Sequence, residues 1–308
     1  MSLTARATRH VLRIADMDHE QLIGLLDLAA EMKANPRAWR HAHDGEMLAC
    51  FFSKPSTRTR VSLEGAAWRL GMLPVMLRPD ELQLGRGEPI TDTARVLSGY
   101  VDAIAIRTFA QSDVEQLAAA ASVPVINALT DDHHPCQALA DLLTLREHYG
   151  RLEGLRLAYV GDGNNVVNSL MEAGGLAGVE VRVATPEGYE PDPTVVDTAR
   201  SLGGDIELTH DPAEAVTGAH AVYTDVWVSM GDEAEGAERL ERLAPYQVTP
   251  ALLQRACPGA IFLHCLPAHR GEEVAAAVID GPHSLVFQQA ANRLPTEQAL
   301  IHVLLERA

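Results

Sequence analysis

The sequence predicts an α/β protein of two doubly wound parallel-sheet domains. It places the active site in the cleft between them and returns a C-terminal helix to the first domain. Three observations carry this. Short apolar runs rich in β-formers alternate with helical patterns at the spacing of βαβ units. The alternation pauses at the polar Thr130–His134 knot and a long helical pattern, then restarts after Gly150. The residues that follow the predicted strands are unusually polar, and in such sheets ligands sit beyond the carboxyl ends of the strands. The expected division is 1–135, completed by a last helix at 288–308, then a linking helix at 136–149 and a second domain at 150–287.

Taken in order, Asp18-His19-Glu20-Gln21 reads as a capping box that opens a helix through Met32, with Leu22, Ile23, Leu25, Leu26 and Leu28 on its apolar side. Met47–Phe52 is a buried strand, and a sharp turn at Lys54-Pro55 leads into a helix. Leu73–Leu77 is a strand, Ile90–Ser98 a helix and Ala103–Ile106 a strand. Ser112-x-x-Glu115 is expected to cap the next helix, with Val123–Ile126 as the strand after it. Pro135 suits the first position of a helix running to His148 and leaves His134 at its mouth. The second set follows as strands Leu155–Val160, Val179–Ala184, Ile206–Leu208, Ala221–Tyr223 and Ala260–Leu263, with helices at Asn165–Leu176 and Pro193–Leu202. Gln288–Glu306 is the last helix.

Bulk properties narrow the function. The 308 residues suffice for two domains of ordinary size, and 47% hydrophobic with 22% charged residues is a soluble globular composition. A net charge of −17 argues against nucleic acid and anionic membranes as partners. No membrane span is expected, because the longest apolar run, Leu117–Leu129, is broken by Ser122 and Pro124. With no secretory apolar region at the N-terminus, the expected location is the cytoplasm. Cys50, Cys136, Cys257 and Cys265 have no paired or zinc-type spacing and read as free thiols.

The most informative stretch is Phe51–Gly71. Ser56, Thr57, Arg58, Thr59 and Arg60 fall at a helix N-terminus, where unpaired N–H groups and the helix dipole already favour an anion. Guanidinium forks match phosphate oxygens two at a time, so the stretch reads as a phosphate cradle. It is not a Walker loop, whose glycine and lysine spacing is absent. Gly161-Asp162-Gly163-Asn164-Asn165 follows a strand, but it lacks a third glycine and the next strand ends at Ala184-Thr185-Pro186 without an acid. A turn offering Asn164 or Asn165 to a polar ligand fits better than a dinucleotide site.

Other groups leave two readings each. His134 is either a helix cap or, with Gln137 on the same face, a hydrogen-bonding pair for a carbonyl. His133, His134 and Cys136 fit no common zinc spacing, and no metal or organic cofactor is expected. Cys265 is either a packing residue or, beside His264 at a strand end, a chemical one. Asp225–Gly231 is either a surface loop or a carboxylate followed by a glycine-hinged segment.

Together these segments resemble the aspartate/ornithine carbamoyltransferase family. Ser56-Thr57-Arg58-Thr59-Arg60 and His134-Pro135-Cys136-Gln137 mark the family as a whole. Asp225 with Ser229-Met230-Gly231, and His264-Cys265-Leu266-Pro267, resemble its ornithine branch. The resemblance covers nearly the whole chain and implies a first domain for carbamoyl phosphate and a second for L-ornithine. It implies that carbamoyl phosphate contacts Ser56, Thr57, Arg58, Thr59, Gln83, Arg107, His134, Pro135, Cys136, Gln137, Cys265, Leu266 and Arg293. In similar enzymes the Gln83 loop reaches the site from a neighbouring subunit. The implied ornithine contacts are Asn165, Asp225, Ser229 and Met230. The catalytic set is Arg58, Arg107, His134, Gln137, Asp225 and Cys265. The implied reaction carries the carbamoyl group to the δ-amine of ornithine, giving citrulline and phosphate, in a trimer or a multiple of trimers.

Three positions depart from the family pattern. His133 stands where an aromatic is common, Ser53 where an acid is common, and Pro295 after Asn292-Arg293-Leu294 where a histidine is usual. Pro295 is expected to shift how the last helix begins. Two rivals stand beside this reading: a carbamoyltransferase for putrescine or an N-acylated ornithine, and a non-catalytic anion-binding relative.

Overall fold

The structure is a computed structural model that describes residues 10–54, 56–78, 87–228 and 236–306. It divides into two compact units, Met1–Leu139 with Arg293–Ala308, and Ala140–Asn292. Each is built on its own parallel sheet.

In the first unit, α1 (His19–Ala34) opens on the expected capping box: Asp18 Oδ1 accepts from the Gln21 N–H at 2.8 Å and Gln21 Oε1 accepts from the Asp18 N–H at 3.1 Å. Strand β1 (Met47–Phe52) buries its central residues, as a strand covered on both faces must. Helix α2 (Arg58–Leu70) stops at Gly71, whose φ of 90° is the left-handed cap that glycine adopts without a Cβ penalty. Then come β2 (Leu73–Leu77), α3 (Ile90–Leu97), β3 (Ala103–Arg107), α4 (Gln111–Ala120) and β4 (Val125–Leu129). The sheet order is β2-β1-β3-β4, parallel throughout. The chain reverses its direction of travel across the sheet between β1 and β3, where Phe52 pairs with Arg107. The carboxyl ends there form a topological switch point, the usual ligand position. Ile104, Ile106, Val114, Leu117 and Val125 are the centre of its core.

Two expectations here are corrected. Ser112 does not cap α4; the N-cap is Ala110, without a side-chain bond, and Ser112 lies inside the helix. The fourth strand begins two residues later than expected and runs to Leu129, past a register shift opposite Ile106 and Arg107. Pro124 has no N–H to give the ladder, and only its carbonyl is used, by the Ile104 N–H at 2.9 Å.

Helix α5 (Pro135–Tyr149) carries the chain from the first unit into the second. There follow β5 (Arg156–Val160), α6 (Asn165–Ala177), β6 (Glu180–Ala184), α7 (Pro193–Ser201), β7 (Ile206–Thr209), α8 (Pro212–Val216) and β8 (Ala221–Thr224). Next come α9 (Gly236–Leu243), α10 (Pro250–Leu253), β9 (Ile261–His264), α11 (Ala276–Ile279) and α12 (Val286–Leu305). The sheet order is β7-β6-β5-β8-β9, again all parallel, with the switch between β5 and β8. Four short helices, α8 to α11, escape sequence reading because each is too brief, at four to eight residues, for a period to stand out. The last helix starts at Val286, and Pro295 lies within it rather than at its start. From Arg293 onward α12 belongs to the first unit, so the expected return of the C-terminal helix is observed.

Candidate active site

Each unit gathers polar side chains at its switch point. In the first, Ser56 lies two residues before α2 and accepts from Arg107 Nη1 at 3.4 Å, Arg107 being the last residue of β3 and 8% exposed. Thr57 is the N-cap of α2 by backbone position only and is exposed; Arg58 is half-buried in the first turn. Thr59 is buried, and its hydroxyl accepts from Arg293 Nη2 at 3.2 Å. Arg60 does not join the cradle: its Nε donates to Glu64 one turn along at 3.0 Å. That removes one of the two expected guanidinium groups and replaces it with Arg293, from a helix more than two hundred residues away.

Arg293 also donates from Nη1 to Gln137 Oε1 at 2.9 Å, and from Nε and Nη2 to Glu297 Oε1 at 3.1 and 2.7 Å. The resulting amide and hydroxyl positions are held by one buried cation. His134, at the mouth of α5, is buried, and its pKa is held well below the usual histidine range. Burial is the main cause, and the guanidinium groups of Arg293, Arg107 and Arg58 add to it. The imidazole is therefore neutral at pH 7, able to donate one hydrogen bond without adding charge. Pro135 is the first residue of α5. The Cys136 side chain turns inward, its thiol donating to the Asn127 carbonyl at 3.5 Å, and burial pushes its pKa up to about 12. It is no nucleophile, and only its backbone remains for a ligand. Gln83, Ser229 and Met230 lie outside the described residues.

In the second unit, Gly161–Asn164 follows β5, Asp225 follows β8 and Cys265 follows β9. Gly163 is required by packing: a Cβ there would lie 2.4 Å from the Pro191 nitrogen. Asn164 caps α6, its Oδ1 accepting from the Val166 N–H at 3.0 Å and from the Tyr159 hydroxyl at 3.3 Å. That fixes the amide, so Nδ2 donates to Asp225 Oδ2 at 3.0 Å. The other carboxylate oxygen accepts from the Cys265 thiol at 2.7 Å. Asp225 is thus held by both oxygens. Asn165, the first residue of α6, is half-buried.

The backbone after β9 is strained: Leu266 has φ 58°, a left-handed value rare for a branched side chain. His264 holds it there, Nδ1 accepting from the Leu266 N–H at 2.9 Å while Nε2 lies 3.1 Å from the buried Glu273 carboxylate. His264 is therefore a support for Cys265 and Leu266, not a group presented to a ligand.

Sequence reasoning missed Arg239. Its Nη2 pairs with Asp162, its Nε donates to the Trp227 carbonyl at 2.8 Å, and its guanidinium lies over the Tyr189 ring. The Asp162 turn and the stem of the Asp225–Gly231 segment are pinned by one residue. It went unseen because α9, though amphipathic, spans only eight residues.

Comparison with known proteins assigns the two units. The family model for the aspartate/ornithine carbamoyltransferase carbamoyl-P binding domain matches residues 9–147. The model for the Asp/Orn binding domain of the same family matches residues 153–304. An ornithine carbamoyltransferase of Listeria innocua is 51% identical over 97% of this chain and 96% of its own. One from Carboxydothermus hydrogenoformans is 54% identical over 96% of this chain and 97% of its own. Among solved structures, ornithine carbamoyltransferase from Pyrococcus furiosus superposes with a TM-score of 0.92 at 50% identity, covering 97% of both chains. That from Thermus thermophilus gives 0.88 at 47% identity, covering 96% of this chain and 99% of the other.

Proposed function

The chain belongs to the aspartate/ornithine carbamoyltransferase family, and from that premise we propose how its residues divide the work of carbamoyl transfer. It is an enzyme that moves the carbamoyl group of carbamoyl phosphate to the δ-amine of L-ornithine, giving L-citrulline and phosphate.

Carbamoyl phosphate binds first. Its phosphate lies on the N-terminus of α2, on the backbone and hydroxyls of Ser56, Thr57 and Thr59, with Arg58 and Arg107 supplying charge. Gln83 completes this site, by family resemblance. Arg107, neutral His134 and Gln137 aim donors at the carbamoyl oxygen. Arg293 supports this group by orienting the Gln137 amide. As the amine attacks the carbonyl carbon, charge builds on that oxygen, and preorganised donors at that point are usually the largest catalytic contribution. The C–O bond to phosphate then breaks, and phosphate leaves with the electron pair.

Ornithine follows, its α-amino acid end on Asn165, Ser229 and Met230. Its δ-ammonium, by analogy with lysine, has a solution pKa of about 10.4 and carries a proton that must go before attack. The observation that carries the acceptor assignment is the Cys265 thiol set 2.7 Å from Asp225 at adjacent strand ends. Asp225 neutralises and orients the ammonium, and Cys265 takes part in removing its proton. Leu266 contributes its backbone beside the carbamoyl group.

The same reading puts the enzyme in arginine metabolism, in the cytoplasm, as a trimer. Four free thiols agree with a reducing compartment. Val61 and Trp68 on α2 are about 60% exposed, an apolar face that a second copy would cover. Among the described residues no helix is long and apolar enough to cross a membrane.

The direct test is citrulline formation from carbamoyl phosphate and L-ornithine, run beside putrescine, N-acetylornithine and aspartate. Turnover with ornithine alone is the expected result; turnover only with another amine refutes the acceptor assignment. Cys265→Ala is expected to lower kcat/KM for ornithine by about 10² or more, the scale of a lost proton-transfer group, with carbamoyl phosphate affinity little changed. Equal losses of affinity for both substrates in calorimetry would refute this role for Cys265.

A further inference from the structure

The last turn of helix α12 carries His302, and Glu306 follows just past the helix end, with its N–H still bonded to the His302 carbonyl at 3.0 Å. Residues four apart on a helix lie on one face. Facing them is His43, buried in the turn before β1 and fixed there by its N–H to the Leu70 carbonyl at 2.9 Å. His43 Nε2 lies 2.8 Å from His302 Nδ1. One ligand atom from each of His43, His302 and Glu306 falls within 4.8 Å of the others. None of the three has a part in carbamoyl transfer.

A second carboxylate stands behind the His43 ring. On the far side of the His43 ring, Nδ1 lies 2.8 Å from Glu46 Oε2. That carboxylate places negative charge beside the ring nitrogen turned away from His302, and Nε2 is the nitrogen turned toward it. The His302 ring is set edge-on against Trp39, at 4.9 Å between centroids. Burial and the neighbouring His43 keep the His302 pKa below its ordinary value.

We infer that His43 Nε2, His302 Nδ1 and the Glu306 carboxylate form a binding site for a divalent transition metal, with zinc as its best-suited occupant. Two imidazoles and one carboxylate suit zinc, with the fourth position left to water. The two glutamates balance the charge of the ion. Binding opens the imidazole pair by a few tenths of an ångström, since nitrogens about 2.0–2.1 Å from a tetrahedral ion stand farther apart than a hydrogen bond allows. The ion ties the end of α12 to the turn at 36–45, within the first unit.

Asp225, His264 and Cys265 also lie within 4.8 Å of one another, so the test must remove that competing thiol site. Full-length Cys265→Ser protein, stripped with a chelator, is titrated with zinc by calorimetry and melted with and without zinc. One equivalent is expected to bind and to raise the melting temperature, as any ligand of the native state does. Adding Glu306→Gln, an exposed change in the ligand set, should weaken binding about tenfold or more. Adding His302→Asn should abolish it. Cobalt at the same site should give the visible bands of a four-coordinate ion in the Cys265→Ser protein and none after His302→Asn. No zinc bound by Cys265→Ser protein, or binding unaltered by Glu306→Gln and His302→Asn together, overturns the inference. Citrulline formation by the Glu306→Gln protein should match wild type in either case, which separates this site from the transfer reaction.

Discussion

Replacing Arg107 with leucine is expected to lower the rate of citrulline formation by about 10² to 10³, roughly 3–4 kcal/mol of transition-state stabilisation. Arg107 ends β3 at the switch point of the first sheet, is nearly buried, and reaches Ser56 at the start of α2. In the proposed arrangement it meets charge on both the carbonyl oxygen and the departing phosphate. Its neighbour His134 is neutral and cannot replace that charge. Arg107→Lys should recover only part of the loss, because an ammonium offers a point charge and not a planar fork. Steady-state kinetics with both substrates varied measures this, and near-wild-type kcat in Arg107→Leu would sink the assignment.

Arg293→Met should cost stability as well as function. The Arg293–Glu297 pair is almost wholly buried, with side-chain exposures of 3% and 1%. Removing one member of a buried ion pair typically costs about 3–5 kcal/mol, because the other charge is left uncompensated. The variant also loses the donors that orient Gln137 and Thr59, so carbamoyl phosphate affinity should fall. Burial already holds the Glu297 pKa above its ordinary value, while Arg293 opposes that shift. Without Arg293 it rises further. A carboxyl whose folded pKa exceeds its unfolded one binds its proton more tightly in the native state. Its stabilising contribution is complete below the unfolded value and is lost as pH rises to the folded one. Arg293→Met should therefore lose more melting temperature than wild type does as pH rises from the ordinary carboxyl range to neutral. Arg293→Met with Glu297→Leu should restore the melting temperature and leave carbamoyl phosphate binding impaired. If the double variant binds carbamoyl phosphate normally, Arg293 has a purely structural role.

The case of Arg293 shows where sequence reading reaches its limit. Its family context marks it as a site residue, but its partners Gln137 and Thr59 lie 156 and 234 positions away. Pro295 is expected to shift how the last helix begins, whereas α12 begins at Val286, two residues before the expected Gln288, and takes Pro295 inside it. Arg60 looks equivalent to Arg58 by residue type, yet the helix puts Glu64 one turn along, and a local partner claims it. Asn164 and Asn165 cannot be told apart as neighbours in a polar turn. In the fold one caps α6 and aligns Asp225, and the other starts the helix.

By itself, the sequence determined the alternation of strands and helices and the polar residues at strand ends. Each of these depends on local backbone preference and burial period, which a chain records over a few residues. Only the tertiary structure decided which strand ends adjoin, through the orders β2-β1-β3-β4 and β7-β6-β5-β8-β9. It alone set Cys265 beside Asp225, Arg293 beside Gln137 and His302 beside His43. Such pairings depend on sheet order and on the path of the last helix, and neither leaves a periodic signal in the residues that meet.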